Sequence, residues 1–380
     1  MSDTNTARPG AIDATDASAP APALKASGDA QVTPPGLIHS AADWRGPQLL
    51  AHPEWLYQLD ADEVREIELA LAHARSRAAT LDTLTREDFP LERFPRRVDQ
   101  MRTQLDQGCG LFVARGFPAQ QHDVASLRMI YWGLGLYMGS AVSQSGEGDV
   151  LGDVRDLKVD LSGPRGRGYK TNAELEYHTD SCDVVALLVL RTAKSGGLSM
   201  IASSVAIHNE IARRRPDLLA VLYQPFHWSL QSQQREGEAP TYIQPVFTFH
   251  QGHFACRYIR THIKSAQRYP DVPRLTEAQI EALDLLDQLA NDPAFHFSMM
   301  FEAGDLQVLN NHVTLHARTG YEDYAEPDRR RHLLRMWLSM PTTRPLSPLL
   351  GRIYPEQRAG AVRGGFPSRT GARVFETSEA

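Results

Sequence analysis

The apolar and polar positions of this chain change period several times, and the changes predict its elements. Val64, Ile67, Leu71 and Ala74 recur at helical spacing and predict a helix over about 62–79. Further helices are expected near 96–107, with Gly108 as its C-cap, over 123–137, and from Ser203 or Ser204 to 214. A strong amphipathic pattern over 275–289 opens with Thr276 and has Gln279 three residues on. That spacing makes a capping box, in which each side chain satisfies an otherwise orphaned backbone N–H. Elsewhere the pattern breaks into short apolar runs at 110–117, 184–190, 200–201, 226–231, 242–249, 253–259, 295–301, 306–310, 313–317 and 332–340. The run 184–190 is nearly all apolar, as in a strand covered on both faces. Many short strands separated by turn signals, with helices outside them, predict a mainly β chain with flanking helices (α+β) built as a double-sheet jelly roll.

Residues 1–38 are rich in Ala, Pro, Thr, Ser, Asp and Gly and carry almost no large apolar side chains. Such a stretch cannot offset its ordering entropy, so it is expected to be disordered. A single domain over 39–360 follows, with its barrel core at about 110–341, and 361–380 is expected to be a flexible C-terminal tail. The polar, glycine-rich stretch 140–172 directly precedes the main chemical motif and is expected to be a loop serving as an active-site lid.

Composition narrows the setting. A net charge of −6 and a pI near 6.2 give no electrostatic footprint for nucleic acid. The run Arg213-Arg214-Arg215 reads as a solvated helix C-terminus, where cations suit the helix dipole. Three scattered cysteines, Cys109, Cys182 and Cys256, make neither a disulfide framework nor a zinc cluster, and a reduced cytoplasm is the simplest setting. No apolar run is long enough to cross a bilayer and no signal peptide is visible, so neither membrane nor nucleic acid is an expected partner. A homo-oligomer is compatible with the sequence.

The chemistry lies in two segments 138 residues apart, around His178-Thr179-Asp180 and around His316. Two imidazoles and one carboxylate can bind one face of Fe(II) and leave the opposite face open. Positions i and i+2 of a strand point to the same side, which would bring His178 and Asp180 together and turn Thr179 away. His312, four residues before His316, competes with it, and Cys182 reads as a small buried filler. Arg331 and Arg335, at i and i+4 of another strand-like run, share a face, and a buried guanidinium there requires an anion. For Arg335 that anion is either a substrate group or Asp305 or Glu302 of the chain itself. The residues alone leave open an iron oxygenase, another metal-dependent enzyme such as a hydrolase, and a non-catalytic jelly-roll protein with a structural metal.

Together His178-Thr179-Asp180, Gly196-Gly197-Leu198-Ser199, Asn311 to His316 and Arg331 to Arg335 resemble the taurine dioxygenase-like (TauD/TfdA) family of Fe(II)- and 2-oxoglutarate-dependent oxygenases. The resemblance spans about 110–341 and implies a double-stranded β-helix of the clavaminate synthase-like type. It implies Fe(II), 2-oxoglutarate and O2 as cofactor and co-substrates, with succinate and CO2 released as a small molecule is hydroxylated or otherwise oxidised. It selects His316, followed by Ala317-Arg318, as the third metal ligand beside His178 and Asp180. It assigns Arg331 to the distal carboxylate of 2-oxoglutarate, with the Ser199 hydroxyl in place of the family's Thr, and Arg335 to the substrate. Tyr177 is expected near that substrate, Asn311 is expected to hydrogen-bond backbone or substrate near the metal, and Trp228 and Tyr258 are expected to help shape the pocket. The presence of Asp180 argues for hydroxylation over halogenation, because family halogenases lack that carboxylate.

Overall fold

The structure, a computed structural model, describes residues 34–158 and 170–376. Its centre is a seven-stranded sheet. In spatial order it runs Leu56–Gln58, Leu111–Arg115, Leu306–Asn310, Val184–Arg191, His332–Ser339 and Ser140–Val142, with Gly152–Val154 also paired to His332–Ser339. A four-stranded sheet of His296–Met299, Ser199–Ser203, Thr314–Arg318 and Leu175–His178 forms the second layer. This is the expected jelly roll with flanking helices.

The two-faced burial of the central strand explains its apolar run. Val184, Ala186, Leu188 and Leu190 pack in a cluster with Ile67 and Leu71 of Ala61–Ser76, Val98 and Met101 of Phe94–Asp106, and Ile130 of Val124–Met138. The alternate residues Val185 and Leu187 line a cavity on the other face. Strand period two therefore sorts one continuous apolar run into a helix-facing half and a site-facing half.

The helices begin where their caps dictate. Asp60 accepts the N–H groups of Asp62 and Glu63 at the start of Ala61–Ser76, and the Glu63 carboxylate accepts the Asp60 N–H. Ser203 caps Ser204–Arg214, and Thr276 with Gln279 forms the expected capping box on Glu277–Asn291.

Three expectations change. The run 242–249 is two strands, Thr241–Gln244 and Phe247–His250, paired to different partners, because Pro245 has no N–H with which to continue a ladder. The stretch 140–172 is not all loop, since Ser140–Val142 and Gly152–Val154 extend the main sheet; residues 159–169 of the expected lid lie outside the described residues. Most of the expected N-terminal tail, 1–33, also lies outside them, while the Ile38 N–H and C=O are both bound by the Asn209 side chain.

The C-terminal stretch is the third: it is packed through the described residues, not a free tail from 361. Arg363 is buried and donates to both Asp183 oxygens at 2.9 and 3.1 Å. The buried Phe366 ring lies 6.1 Å from that of Trp337, and Val374 bridges Asp149. A guanidinium and an aromatic ring each gain a buried partner there, which outweighs the ordering entropy.

Candidate active site

His178 and His316 face each other as Cα partners on the antiparallel strands Leu175–His178 and Thr314–Arg318, with ring centroids 4.2 Å apart. The strand ends at His178, so Asp180 is not aimed by strand alternation as expected. Long-range contacts aim it instead. The Asp180 N–H donates to Asn311 Oδ1 at 3.0 Å, the Thr179 N–H donates to the Tyr258 carbonyl at 2.8 Å, and buried Arg257 donates to the Thr179 carbonyl and hydroxyl at 2.9 and 2.8 Å. Thr179 does not line the cavity, and its hydroxyl is engaged by Arg257 rather than held away by strand alternation.

One ligating atom from each of His178, Asp180 and His316 lies within 4.8 Å of the others. The His178 Nδ1–H donates to the Glu176 carbonyl at 2.8 Å, which leaves Nε2 as the lone-pair nitrogen. His316 Nε2 stands 3.8 Å from Asp180 Oδ2, too far for a hydrogen bond and near enough to share a metal. Burial, reinforced by the His178 charge, pushes the His316 pKa down to about 3. Burial likewise lowers His178. Burial alone would raise the Asp180 carboxyl, but Arg335, then His316 and His178, hold it below the usual carboxylate range. Neutral imidazoles and an ionised carboxylate are the states that ligate a divalent metal. The three residues thus fit Fe(II) in both geometry and protonation.

His312, the competing histidine, is engaged elsewhere: its Nε2 lies 2.7 Å from Asp183 Oδ1. Cys182 is fully buried, and its S–H donates to the Val184 carbonyl at 3.3 Å, which makes it a filler.

The triad opens on a cavity that is also lined by Ser199, Gln307, Arg318, Arg331 and Arg335. Arg331 sits just before His332–Ser339, and its buried Nη1 has no hydrogen-bond partner among the described residues. Burial, then the neighbouring Arg318 charge, lowers its pKa to about 10, so it remains a cation at neutral pH. Arg318 and Arg331 both lie over Tyr321, 4.7 and 5.0 Å from its ring centroid. Ser199 pairs with Arg318 across the smaller sheet and exchanges hydrogen bonds with Gln307. Two guanidiniums, a hydroxyl and an amide at one end of the cavity suit a carboxylate held there by charge-assisted hydrogen bonds.

Arg335 lies nearer the triad, with Nη1 3.7 Å from Asp180 Oδ1. It pairs with neither Asp305 nor Glu302, because Arg115 engages both.

Three residues expected at the substrate, Tyr177, Trp228 and Tyr258, are turned elsewhere. Tyr177 alternates with His178 on its strand and so enters the core, 5.8 Å from the His296 ring. Asn311 takes its backbone alternative on the ligand loop, accepting from the Asp180 N–H and donating to Cys182 Sγ. Trp228 and Tyr258 are fully buried and donate to the Gln244 carbonyl and the Asp287 carboxylate. Two polar cavity residues had no role assigned from sequence. Gln307 is the lone amide inside the apolar 306–309, a legible signal; Arg318 follows His316 at i+2, on the same strand face.

Comparison with known proteins agrees with this geometry. The family model of the taurine catabolism dioxygenase TauD, TfdA family matches residues 76–337. FR-33289 synthase of Streptomyces rubellomurinus is 34% identical over 306 residues, covering 78% of this chain and 88% of the relative. Taurine hydroxylase-like protein SAT17 of Stachybotrys chartarum is 26% identical over 315 residues, 79% of each chain. The fold is that of asparagine oxygenase, with a TM-score of 0.58 at 18% identity over 80% of this chain and 98% of the other. It is also that of the non-heme iron oxygenase OrfP, with a TM-score of 0.57 at 14% identity over 74% and 93%. The chain belongs to the TauD/TfdA family and is an Fe(II)- and 2-oxoglutarate-dependent dioxygenase of a small-molecule substrate.

Proposed function

We propose that His178, Asp180 and His316 hold Fe(II), that Arg331 with Ser199 receives the distal carboxylate of 2-oxoglutarate, and that Arg335 receives an anionic group of the substrate. Bound Fe(II), with O2 and 2-oxoglutarate, supplies the oxidising chemistry. The chain's own residues hold the metal, set the direction of the co-substrate and place the substrate's reacting carbon beside the open metal face.

The observation that carries the reading is the charge of the cavity wall. Among the described residues of that wall, three buried guanidiniums, Arg318, Arg331 and Arg335, stand with one carboxylate, Asp180, which the metal would claim. Asp156 and Asp323 act on Arg318 and Arg331 from outside that lining. Arg335 lines the same cavity as the metal ligands, where its cationic face would meet a carboxylate, sulfonate or phosphate of the substrate. Ser199 keeps the hydroxyl needed to support Arg331. The names of two relatives carry such anions, taurine and, for a relative in Amycolatopsis sp that is 27% identical over 191 residues, uridine-5'-phosphate.

Apolar Val154, Val185, Leu187 and Phe301 complete the wall and exclude water from the substrate's carbon skeleton. The proposed setting is the cytoplasm. Among the described residues no helix is long and apolar enough to cross a membrane.

The test is succinate formation from 2-oxoglutarate with matched pairs of small molecules that differ only in a carboxylate, sulfonate or phosphate. Anionic members should stimulate turnover in the wild type and lose that advantage in Arg335→Ala. Equal stimulation by neutral partners would overturn the anionic assignment.

A further inference from the structure

Arg335 presents a physical problem. It is buried, and its guanidinium stands 3.7 Å from a carboxylate that has to serve a metal. Closing that gap by less than 1 Å would give a charge-assisted contact of about 2.8 Å, strong in a buried setting. Such a contact would draw Asp180 away from the metal. Something must hold the guanidinium back.

Gln144 is placed to do so. It is 3% exposed and lies beyond Ser140–Val142, on the far side of His332–Ser339 from the central strand. Its Oε1 accepts the Arg335 Nε–H at 2.7 Å, and its Nε2 donates to the Arg335 carbonyl at 2.9 Å. One amide therefore grips both the side chain and the backbone of the same arginine. The grip has its own support, since the Gln144 N–H donates to the Asp149 carbonyl at 2.7 Å. On the other side the Arg335 Cζ lies 5.2 Å from the Trp337 ring centroid, two residues along the strand and on the same face. Amide and indole thus fix the plane of the guanidinium.

We infer that Gln144 is a positioning residue that holds Arg335 off Asp180 and so keeps the carboxylate available to the metal. This rests on the assignment of Asp180 as a metal ligand. Gln144 is not among the described residues that line the cavity. An amide suits this role because its oxygen accepts from Nε while its N–H donates to the Arg335 carbonyl.

The test is Co(II) binding under nitrogen without 2-oxoglutarate, followed by visible absorption and calorimetry. Gln144→Met keeps the volume and removes the grip; it should weaken Co(II) roughly tenfold, the scale of losing a residue that orients a metal ligand. In an Arg335→Met background the same change should leave Co(II) affinity unaltered, because no guanidinium remains to be held back. Gln144→Glu, whose carboxylate still accepts from Nε, should stay within about twofold of the wild type, well inside that scale. Thermal melting confirms that each variant is folded. Wild-type affinity in Gln144→Met, an equal loss in the Arg335→Met background, or a Gln144→Glu loss matching that of Gln144→Met would each overturn the inference. Asp180→Ala is the control: if it binds Co(II) like the wild type, the metal assignment itself is wrong, and that failure is separate from any failure of Gln144.

Discussion

His316 and His178 are Cα partners across an antiparallel pair, and their rings meet at 4.2 Å although 138 residues separate them in the chain. Sheet pairing delivers one imidazole opposite the other, and a turned loop delivers Asp180 between them. Asp180→Ala should lower Fe(II) affinity by at least about a hundredfold, beyond the range of an outer-shell change. His312→Ala should leave it unchanged, because His312 serves Asp183. Anaerobic calorimetry measures both, and equal affinities in wild type and Asp180→Ala would move the site elsewhere.

Arg331→Ala removes a buried cation from the proposed co-substrate end of the cavity. Loss of one charge-assisted pair in a mostly dry pocket costs about 2–5 kcal/mol, counting the carboxylate left unpaired. The 2-oxoglutarate requirement should rise by roughly one and a half to three and a half orders of magnitude. Ser199→Ala removes one neutral donor and should cost about 1 kcal/mol. The readout is succinate formation against 2-oxoglutarate concentration. A larger effect from Arg335→Ala than from Arg331→Ala would reverse the two arginines.

The packed C-terminal stretch predicts a stability effect far from the cavity. Asp183 accepts from Arg363 and Ser339 and sits 2.7 Å from His312 Nε2, and the Arg363 and Asp183 side chains are fully buried. Removing residues 361–380 leaves Asp183 without its main cation and should destabilise the fold by about 3–5 kcal/mol. Urea unfolding of the shortened chain checks this. An unchanged midpoint would mean that the stretch contributes nothing.

His208 predicts how stability falls in acid. It is fully buried, with Nε2 3.0 Å from Tyr223 Oη and Nδ1 3.1 Å from Asn209 Oδ1. Burial, partly offset by its hydrogen bond to Asn209, pushes its pKa down to about 4. Folding therefore favours the neutral ring. That contribution is fully present above the unfolded value of about 6.5 and is lost as pH falls through 4, by up to about 3 kcal/mol. His208→Gln keeps two polar ends and cannot be protonated. Urea melts between pH 7 and 4 should show a shallower loss of stability in that variant than in the wild type; parallel losses would exclude His208 as a source.

A packed glycine turn feeds a strand of the cavity wall. Gly304 has φ +91, and a Cβ there would meet the Phe117 carbonyl oxygen at 2.2 Å. Gly304→Ala combines backbone strain with a clash and should cost about 2–4 kcal/mol. Thermal unfolding measures it, and a shift of less than about 1 °C would contradict the packing, since 1 kcal/mol corresponds to several degrees in domains smaller than this one and to fewer as size grows.

The sequence by itself determined what depends on local period and chemistry. Alternation and helical spacing located the longer helices and most strands of the two sheets, though not Leu56–Gln58, Ser140–Val142 or Gly152–Val154, and Thr276 with Gln279 announced a helix start that the structure reproduces. The family pattern in His178, Asp180, His316 and the arginine pair was legible because such spacings are carried along the chain.

Only the tertiary structure decided how those groups are aimed. The strand stops at His178, so the direction of Asp180 depends on Asn311, 131 residues away. Arg335 is held by Gln144 across 191 residues, and Arg363 pairs with Asp183 across 180. Tyr177, beside a metal ligand in sequence, faces the core because adjacent residues on a strand point to opposite sides. Periodicity states which residues share a face; it is silent on what that face meets. That is settled when distant strands pair and buried polar groups must find partners among whatever the fold brings near.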